Sequence, residues 1–596
     1  MKRKIILLTA LCAVSFFASA QVNKEVVVTK EYDPQETTAE KKSVGRSVIE
    51  ISANSTPSVS LDNNVVSHEY VSPLVTTNFK PATATFWEHK KNFPFYLKLG
   101  AGVPLNTEGD LYATLHRAGV GYITGYINHY GLYSKIKYYN GLDQTKYKDN
   151  RSMQMNNRFG VAGGKYFGRY TLASELYYDM NLYHRFPFHN VYASDNTSEL
   201  AYKHRRVDYG DLNLAVSFGD EFVDYSHLNF KVYATADYYH DRSETFVADA
   251  RYQQMNVTAG AHLAREINKH HSLSLNLDYE GYYGLRSLKS YGNSLVGATI
   301  MYRYRSGGML DLNVGAKVYY DNNPIDVNPN RWHGFPLINV SFNVGNKGVV
   351  VPYAEVDGRV SNNSYYSLVK ENPYVAILGA GNGILQADNA MPNTETYNVR
   401  LGVSGNAVDN KLSYRGYFLM SFMNNSLYWY NVNQIFFDAV AAKRNVWALC
   451  GSLDYRPITD LFLTAQIKGL LYSNYAELDG VKLNGALPNV EFMFKAKYNY
   501  KAVTMGGSLE LYGPTKWTWA QNNSLFNPEA ANVTGYGWFK APTSLNLSIF
   551  ADWRINKICT LYAEGNNLLG NLLPTYRWAF YPELGASFTV GVKVVF

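Results

Sequence analysis

Residues 228–239 run Leu228-Asn229-Phe230-Lys231-Val232-Tyr233-Ala234-Thr235-Ala236-Asp237-Tyr238-Tyr239, and the fold class turns on how they are read. Leu228, Phe230, Val232, Ala234, Ala236 and Tyr238 share one parity; Asn229, Lys231, Tyr233, Thr235, Asp237 and Tyr239 share the other. In a β-strand successive side chains point to opposite faces, so one face here meets an apolar medium and the other meets water. Downstream, Leu273, Leu275, Leu277 and Tyr279 alternate with Ser274, Asn276, Asp278 and Glu280. Leu310, Leu312, Val314, Ala316 and Val318 alternate with Asp311, Asn313, Gly315, Lys317 and Tyr319. Upstream, the pattern begins at Phe95 with Leu97-Lys98-Leu99-Gly100-Ala101-Gly102-Val103, and it runs to the last residue, Phe596.

A soluble sandwich also alternates, so the connections have to decide. Short ones (Phe167-Gly168-Arg169, Ser306-Gly307-Gly308, Gly345-Asn346-Lys347-Gly348, Arg456-Pro457-Ile458-Thr459-Asp460) take turns with long ones over 130–152, 184–206, 322–334, 363–392, 424–443 and 513–540. Membrane barrels join their strands in this way, with short turns on the periplasmic side and long loops outside. The spacing predicts an all-β fold, a large antiparallel transmembrane β-barrel of roughly 22 strands with both termini on the periplasmic side. A short external loop is expected within Gly102–Asp110.

Composition agrees. The chain holds 51 Tyr, 29 Phe and 9 Trp but only 18% charged residues, which suits short strands with aromatics at two membrane interfaces. A net charge of +7 without a block of like charge gives no footprint for nucleic acid. After the first twenty residues there is no apolar run long enough for a helical span.

Three segments are expected. Residues 1–20 read as a signal peptide, with basic Lys2, Arg3 and Lys4, an apolar stretch, and Ala18-Ser19-Ala20 before the cut. Residues 21–92 lack periodicity and read as an extended or partly disordered periplasmic extension. Residues 93–596 form the barrel. Cys450 should face inward and Cys559 outward, so no disulfide joins them. The last strand sets Phe588, Val590, Val592, Val594 and Phe596 on one face, an apolar ladder that the barrel-assembly machinery can pair with during insertion.

No catalytic motif stands out, and the expectation is a protein that is not an enzyme and uses neither cofactor nor metal. His270-His271 reads as a polar turn. Tyr353, Glu355, Asp357 and Arg359 share one face of a strand, where they should wet the lumen and pair with charges on neighbouring strands. Tyr428, Trp429 and Tyr430 in one long loop, and Trp517, Trp519 and Trp538 in another, are the candidate ligand contacts, because exposed aromatic faces dominate recognition energetics. An interfacial aromatic girdle needs the same residues at strand ends, and that reading is preferred.

The C-terminal residues carry a resemblance. Leu561-Tyr562-Ala563-Glu564-Gly565-Asn566-Asn567-Leu568-Leu569, Tyr581-Pro582-Glu583-Leu584-Gly585 and Phe588 to Phe596 resemble the final hairpin of TonB-dependent receptors. Leu487-Pro488-Asn489-Val490 with Phe492 and Phe494 is similar to their late strands. The resemblance spans the barrel, its specific motifs lie after Leu487, and it looks most like the plug-less barrels frequent in Bacteroidetes. It implies a Gram-negative outer membrane, outer-membrane lipid as a partner, and passage or binding of nutrients. Receptors of this kind carry a plug domain longer than 21–92, which is the departure here. Glu25, Val26, Val27, Val28 and Thr29 look like their energy-coupling segment, but without a plug to pull such a segment has no load, and the reading as an ordinary extended run is preferred. The alternative function is a non-transporting anchor whose residues 21–92 recruit a periplasmic or envelope protein. A lumen this wide should also be narrowed by inward loops or by residues 21–92.

Overall fold

A computed structural model describes residues 94–139, 146–185, 206–222, 225–243, 251–289, 292–323, 331–346, 348–375, 391–483, 487–522, 533–583 and 585–596. The expected signal peptide, the extension 21–92 and the segment Glu25 to Thr29 lie outside the described residues.

Among the described residues, 22 antiparallel strands close into a barrel. The first strand, Phe95–Val103, pairs with Asn106–Arg117 on one side and with the last strand, Ser587–Val595, on the other. At that closure the backbones of Phe95 and Phe596 exchange hydrogen bonds of 3.0 and 3.1 Å, and their rings stack 5.1 Å apart. The apolar ladder of the last strand is thus part of the completed wall, with Phe588, Val590 and Phe596 exposed on the outside.

The interior is inverted relative to a soluble protein. Buried residues include Lys98, Glu108, Asp110, Asn156, Asp211, Asn313 and Lys317, while Leu99, Ile127, Val161, Leu214, Val232, Leu277, Val314 and Leu449 are exposed. Apolar side chains stay outside because hydrocarbon, not water, is their solvent, and polar ones turn to a shared wet interior. Inside, the charges pair. Lys98 lies 2.5 Å from Glu108, Lys593 2.8 Å from Asp552, and Lys317 2.9 Å from Asp357. Glu355 meets both Arg400 (3.3 Å) and Arg415 (3.5 Å), and Arg415 also donates to the Tyr353 hydroxyl at 2.7 Å. This is the lumen-lining role expected for Tyr353, Glu355 and Asp357.

Turns at the end carrying the termini are tight. Gly168 (φ 64°) and Gly307 (φ 76°) take left-handed backbone that a side chain would strain. His270 sits in such a turn, its Nδ1 2.6 Å from the Arg305 carbonyl. Cys450 is buried, Cys559 is partly exposed, and both are free.

The far end departs from expectation in detail. Between 130 and 152, strands Gly121–Tyr139 and Lys146–Phe167 take most of the expected loop. Over 424–443, strands Leu412–Val432 and Phe436–Tyr455 continue past the wall as a long hairpin. Within 513–540, the strands Thr515–Asn522 and Val533–Ala541 form a hairpin whose first strand runs parallel to Leu412–Val432 through Asn431↔Trp519 and Val432↔Ala520. Here both faces of the sheet are covered, so the two-solvent alternation that marks a wall strand fades while the backbone pairing persists. The expected loop inside Gly102–Asp110 is a tight turn, because Gly102 already pairs with Asn106.

Candidate functional site

At the far end of the lumen two loops turn inward and pack together. The first contains the helix Tyr365–Glu371. Ser364 caps it, its hydroxyl accepting from the Ser367 backbone N–H at 3.1 Å, and the Asn372 N–H closes it on the Leu368 carbonyl at 2.8 Å. A seven-residue helix is not stable alone, so its packing has to hold it. Tyr365, Tyr366, Leu368 and Val369 are all buried.

Polar contacts fasten this helix to opposite walls. The Tyr366 hydroxyl donates to Asp211, and Lys370 lies 3.6 Å from the same carboxylate. The Tyr366 N–H reaches Gln254 at 3.4 Å, and the Tyr365 hydroxyl reaches Asp241 at 3.5 Å. Across the lumen, the Trp429 indole N–H donates to Glu371 at 2.8 Å. Burial pushes the Glu371 carboxyl up to about 7, against the pull of the Trp429 N–H and the Arg444 guanidinium. Beyond the helix, the Phe437 N–H donates to the Tyr374 carbonyl at 3.0 Å.

The second inward loop is the small hairpin of Tyr576–Trp578 with Tyr581–Pro582. Trp578, Ala579, Phe580 and Tyr581 are buried. The Trp578 ring lies 5.8 Å from Trp429, 5.2 Å from Phe437 and 5.5 Å from Trp517. Tyr581 stacks on Tyr374 at 3.9 Å, which joins the two loops. Phe580 holds φ at 67°, an uncommon backbone for a bulky residue that its packing against Phe539 (4.6 Å) and Trp519 (6.2 Å) holds in place. Beside it, burial lowers the Arg577 guanidinium to about 10 and raises the Glu583 carboxyl, each partly offset by the other's charge.

The expected ligand-contact residues fall on three sides of this cap. Trp429 and Trp517 are buried in it, with Trp519 packed partly against it. Tyr428 and Tyr430 point the other way from the same strand, into a second buried cluster with Val432, Ile435, Phe436 and Leu483. Tyr428 donates to the Lys443 carbonyl at 2.7 Å, and Tyr430 to Asp438 at 3.0 Å. Trp538 alone of the six is well exposed, at 42%, with the Lys516 ammonium 3.7 Å over its ring. The expected exposed faces are therefore interior for Tyr428, Trp429, Tyr430 and Trp517. These four also face no lipid, so they form no girdle; stacked layers above the wall bury them instead.

Tyr365, Tyr366, Phe437 and Trp578 were missed. The first two had a signal, since Ser364 followed by apolar residues at 365, 366, 368 and 369 has helical spacing and a cap. Phe437 and Trp578 had none, because their partners are far away in sequence. Among the described residues no group of three or more His, Cys, Asp or Glu is placed to hold a metal.

The fold has solved counterparts. The siderophore receptor PirA from Acinetobacter baumannii superposes with a TM-score of 0.63 at 9% identity, covering 85% of this chain and 81% of that one. The FrpB iron transporter from Neisseria meningitidis gives 0.60 at 11% identity, with 85% and 83% covered. The pyoverdine outer membrane receptor FpvA from Pseudomonas aeruginosa gives 0.58 at 11% identity, with 85% and 80% covered. The chain has the fold of the TonB-dependent outer-membrane receptors. Its apolar outer belt and polar interior are those of a membrane-spanning barrel. At these identities the likeness is one of architecture. No family model and no curated protein matches the sequence.

Proposed function

We propose that this protein is an outer-membrane receptor-like barrel that binds or admits a nutrient and keeps its lumen shut with its own loops. The observation that supports this most is the helix Tyr365–Glu371, held between Asp211 on one wall and Trp429 on the other. Each large apolar side chain buried in the cap stabilises closure by about 1.5–3 kcal/mol, so thermal motion alone rarely opens it. A ligand that binds the open form better has to supply the difference.

In this reading residues 93–596 are the barrel, 1–20 direct export, and 21–92 form a periplasmic extension without a full plug. Glu25 to Thr29 is its coupling segment, and the barrel-assembly machinery inserts the chain through its last strand, as in proteins of Bacteroidetes. The test is conductance in planar bilayers. Wild-type barrel should be nearly silent, and replacing 363–392 with a short Gly-Ser linker should give large, steady channels. A barrel sealed in both forms overturns passage.

A lumen kept shut in this way would also suit an anchor that transports nothing and recruits a periplasmic or envelope partner through 21–92. Affinity purification with and without those residues separates the readings. A stable partner lost on their removal, together with a silent loop-replaced barrel, supports the anchor.

A further inference from the structure

The outer wall holds a trough across the seam where the barrel closes. Three rows of outward side chains, each one residue per strand, define it. The middle row is small: Ala551 pairs with Ala563, Ala563 with Val590, Val590 with Ala101, Ala101 with Thr107, and Thr107 with Gly131. The row on the terminal side carries Trp553, Leu561, Val592 and Leu99, then Gly109 and His129. On the other side stand Ile549, Phe588 and Val103. Trp553, Leu561, Leu99, Ile549, Phe588 and Val103 are all exposed, so large side chains stand on both banks of a floor of methyls. The concavity, about 1130 Å³, runs along the middle row and the terminal-side row, with Leu97, Leu111 and Ile127 on its lower side, and the bank of Ile549, Phe588 and Val103 lies beyond its edge.

One end is polar. Thr107 Oγ1 lies 2.8 Å from His129 Nε2, and His129 Nδ1 lies 2.6 Å from Asn157 Oδ1. The Asn157 carbonyl only accepts, so Nδ1 carries the proton and Nε2 accepts from the Thr107 hydroxyl. The Asn157 amide N–H groups and the Thr107 lone pairs remain to meet a polar ligand atom.

Position decides the occupant. Ala551 lies close to Arg554, at the terminal end of its strand, while Thr107 follows Asn106, where its strand starts at the far end. Because barrel strands tilt by about 35–45°, a row running across them climbs through the membrane. Five strand spacings carry it about 24 Å from Ala551 to Gly131. The polar end is therefore the outer one, and the greasy length descends from it. No charged side chain belongs to the three rows, so the trough suits an acyl chain topped by a neutral oxygen.

We propose that this trough is a binding site for one outer-leaflet lipid, whose acyl chain lies along Ala101, Ala563 and Ala551. Its ester oxygen accepts from the Asn157 amide beside His129, and a hydroxyl, where the lipid carries one, donates to Thr107. This rests on the loop end facing outward, but not on whether the lumen conducts.

The test uses full-length barrel reconstituted in phosphatidylethanolamine vesicles, extracted in mild detergent and weighed by native mass spectrometry. Wild type should retain one lipid. The double variant Ala101→Phe/Ala563→Phe fills the trough from exposed positions and should lower the retained fraction at least tenfold. Thr107→Val/Asn157→Leu leaves the trough open and should lower it several-fold. Heat-modifiable gel mobility confirms that each variant has closed. Wild type carrying only detergent overturns the proposal, and so does a folded, filled variant that retains lipid as wild type does.

Discussion

Glu371 shows how a single side chain can bias the cap. Its carboxyl sits at about 7 in the closed protein, above the ordinary value of 4.5, because burial penalises the anion more than Trp429 and Arg444 relieve it. A raised carboxyl binds its proton more tightly in the closed form. Closure is thus most stable below about pH 4.5 and weakens as pH rises through 7, by about 3 kcal/mol in all. Conductance should accordingly increase between pH 4.5 and 7. Glu371→Gln should flatten that dependence, and a slope unchanged in the variant would assign it to another group. Trp578 makes a second residue-level case, since it touches Trp429, Phe437 and Trp517 at once. Trp578→Ala should cost the cap about 3–5 kcal/mol, seen as faster hydrogen exchange at Tyr374 and Phe437 with no loss of barrel closure. Unaltered exchange would mean that the loop is held elsewhere.

Among elements, the short helix is the one most dependent on its surroundings. Two turns of helix without a cap and buried tyrosines would melt. Removing the Ser364 hydroxyl strips one of the N-terminal N–H groups of its acceptor, so Ser364→Ala should weaken the helix by about 1 kcal/mol. Amide exchange of Ser367 and Leu368 should rise about fivefold, while that of the wall strand Arg206–Asp220 stays as it was. Wall strands were plain in the residue pattern, as the alternation of 228–239 and 310–319 shows. The hairpins above the wall were not. Tyr428, Trp429 and Tyr430 alternate between two buried clusters, so neither face is polar and nothing local distinguishes strand from loop.

For the whole molecule, closure depends on a short seam. The first and last strands have nine residues each and the adjoining Cys559–Asn566 eight, against 22 in Lys146–Phe167, so the wall is low around the place where the chain must meet itself. The Phe95–Phe596 stack and paired backbone bonds finish that seam at its terminal end. Deleting Phe596 should lower the yield of heat-modifiable, membrane-inserted barrel several-fold without changing secretion. An undiminished yield would show that the ladder from Phe588 to Val594 suffices.

The residue order by itself determined a membrane barrel, its approximate strand number and its inward polar face, because hydrocarbon and water impose a period of two on every wall strand. It also located the paired charges around Glu355 and Asp357. Only the tertiary structure decided what fills the lumen. The cap joins Trp429, Phe437, Trp517 and Trp578, residues separated along the chain by whole hairpins, and their contacts obey packing rather than any local period.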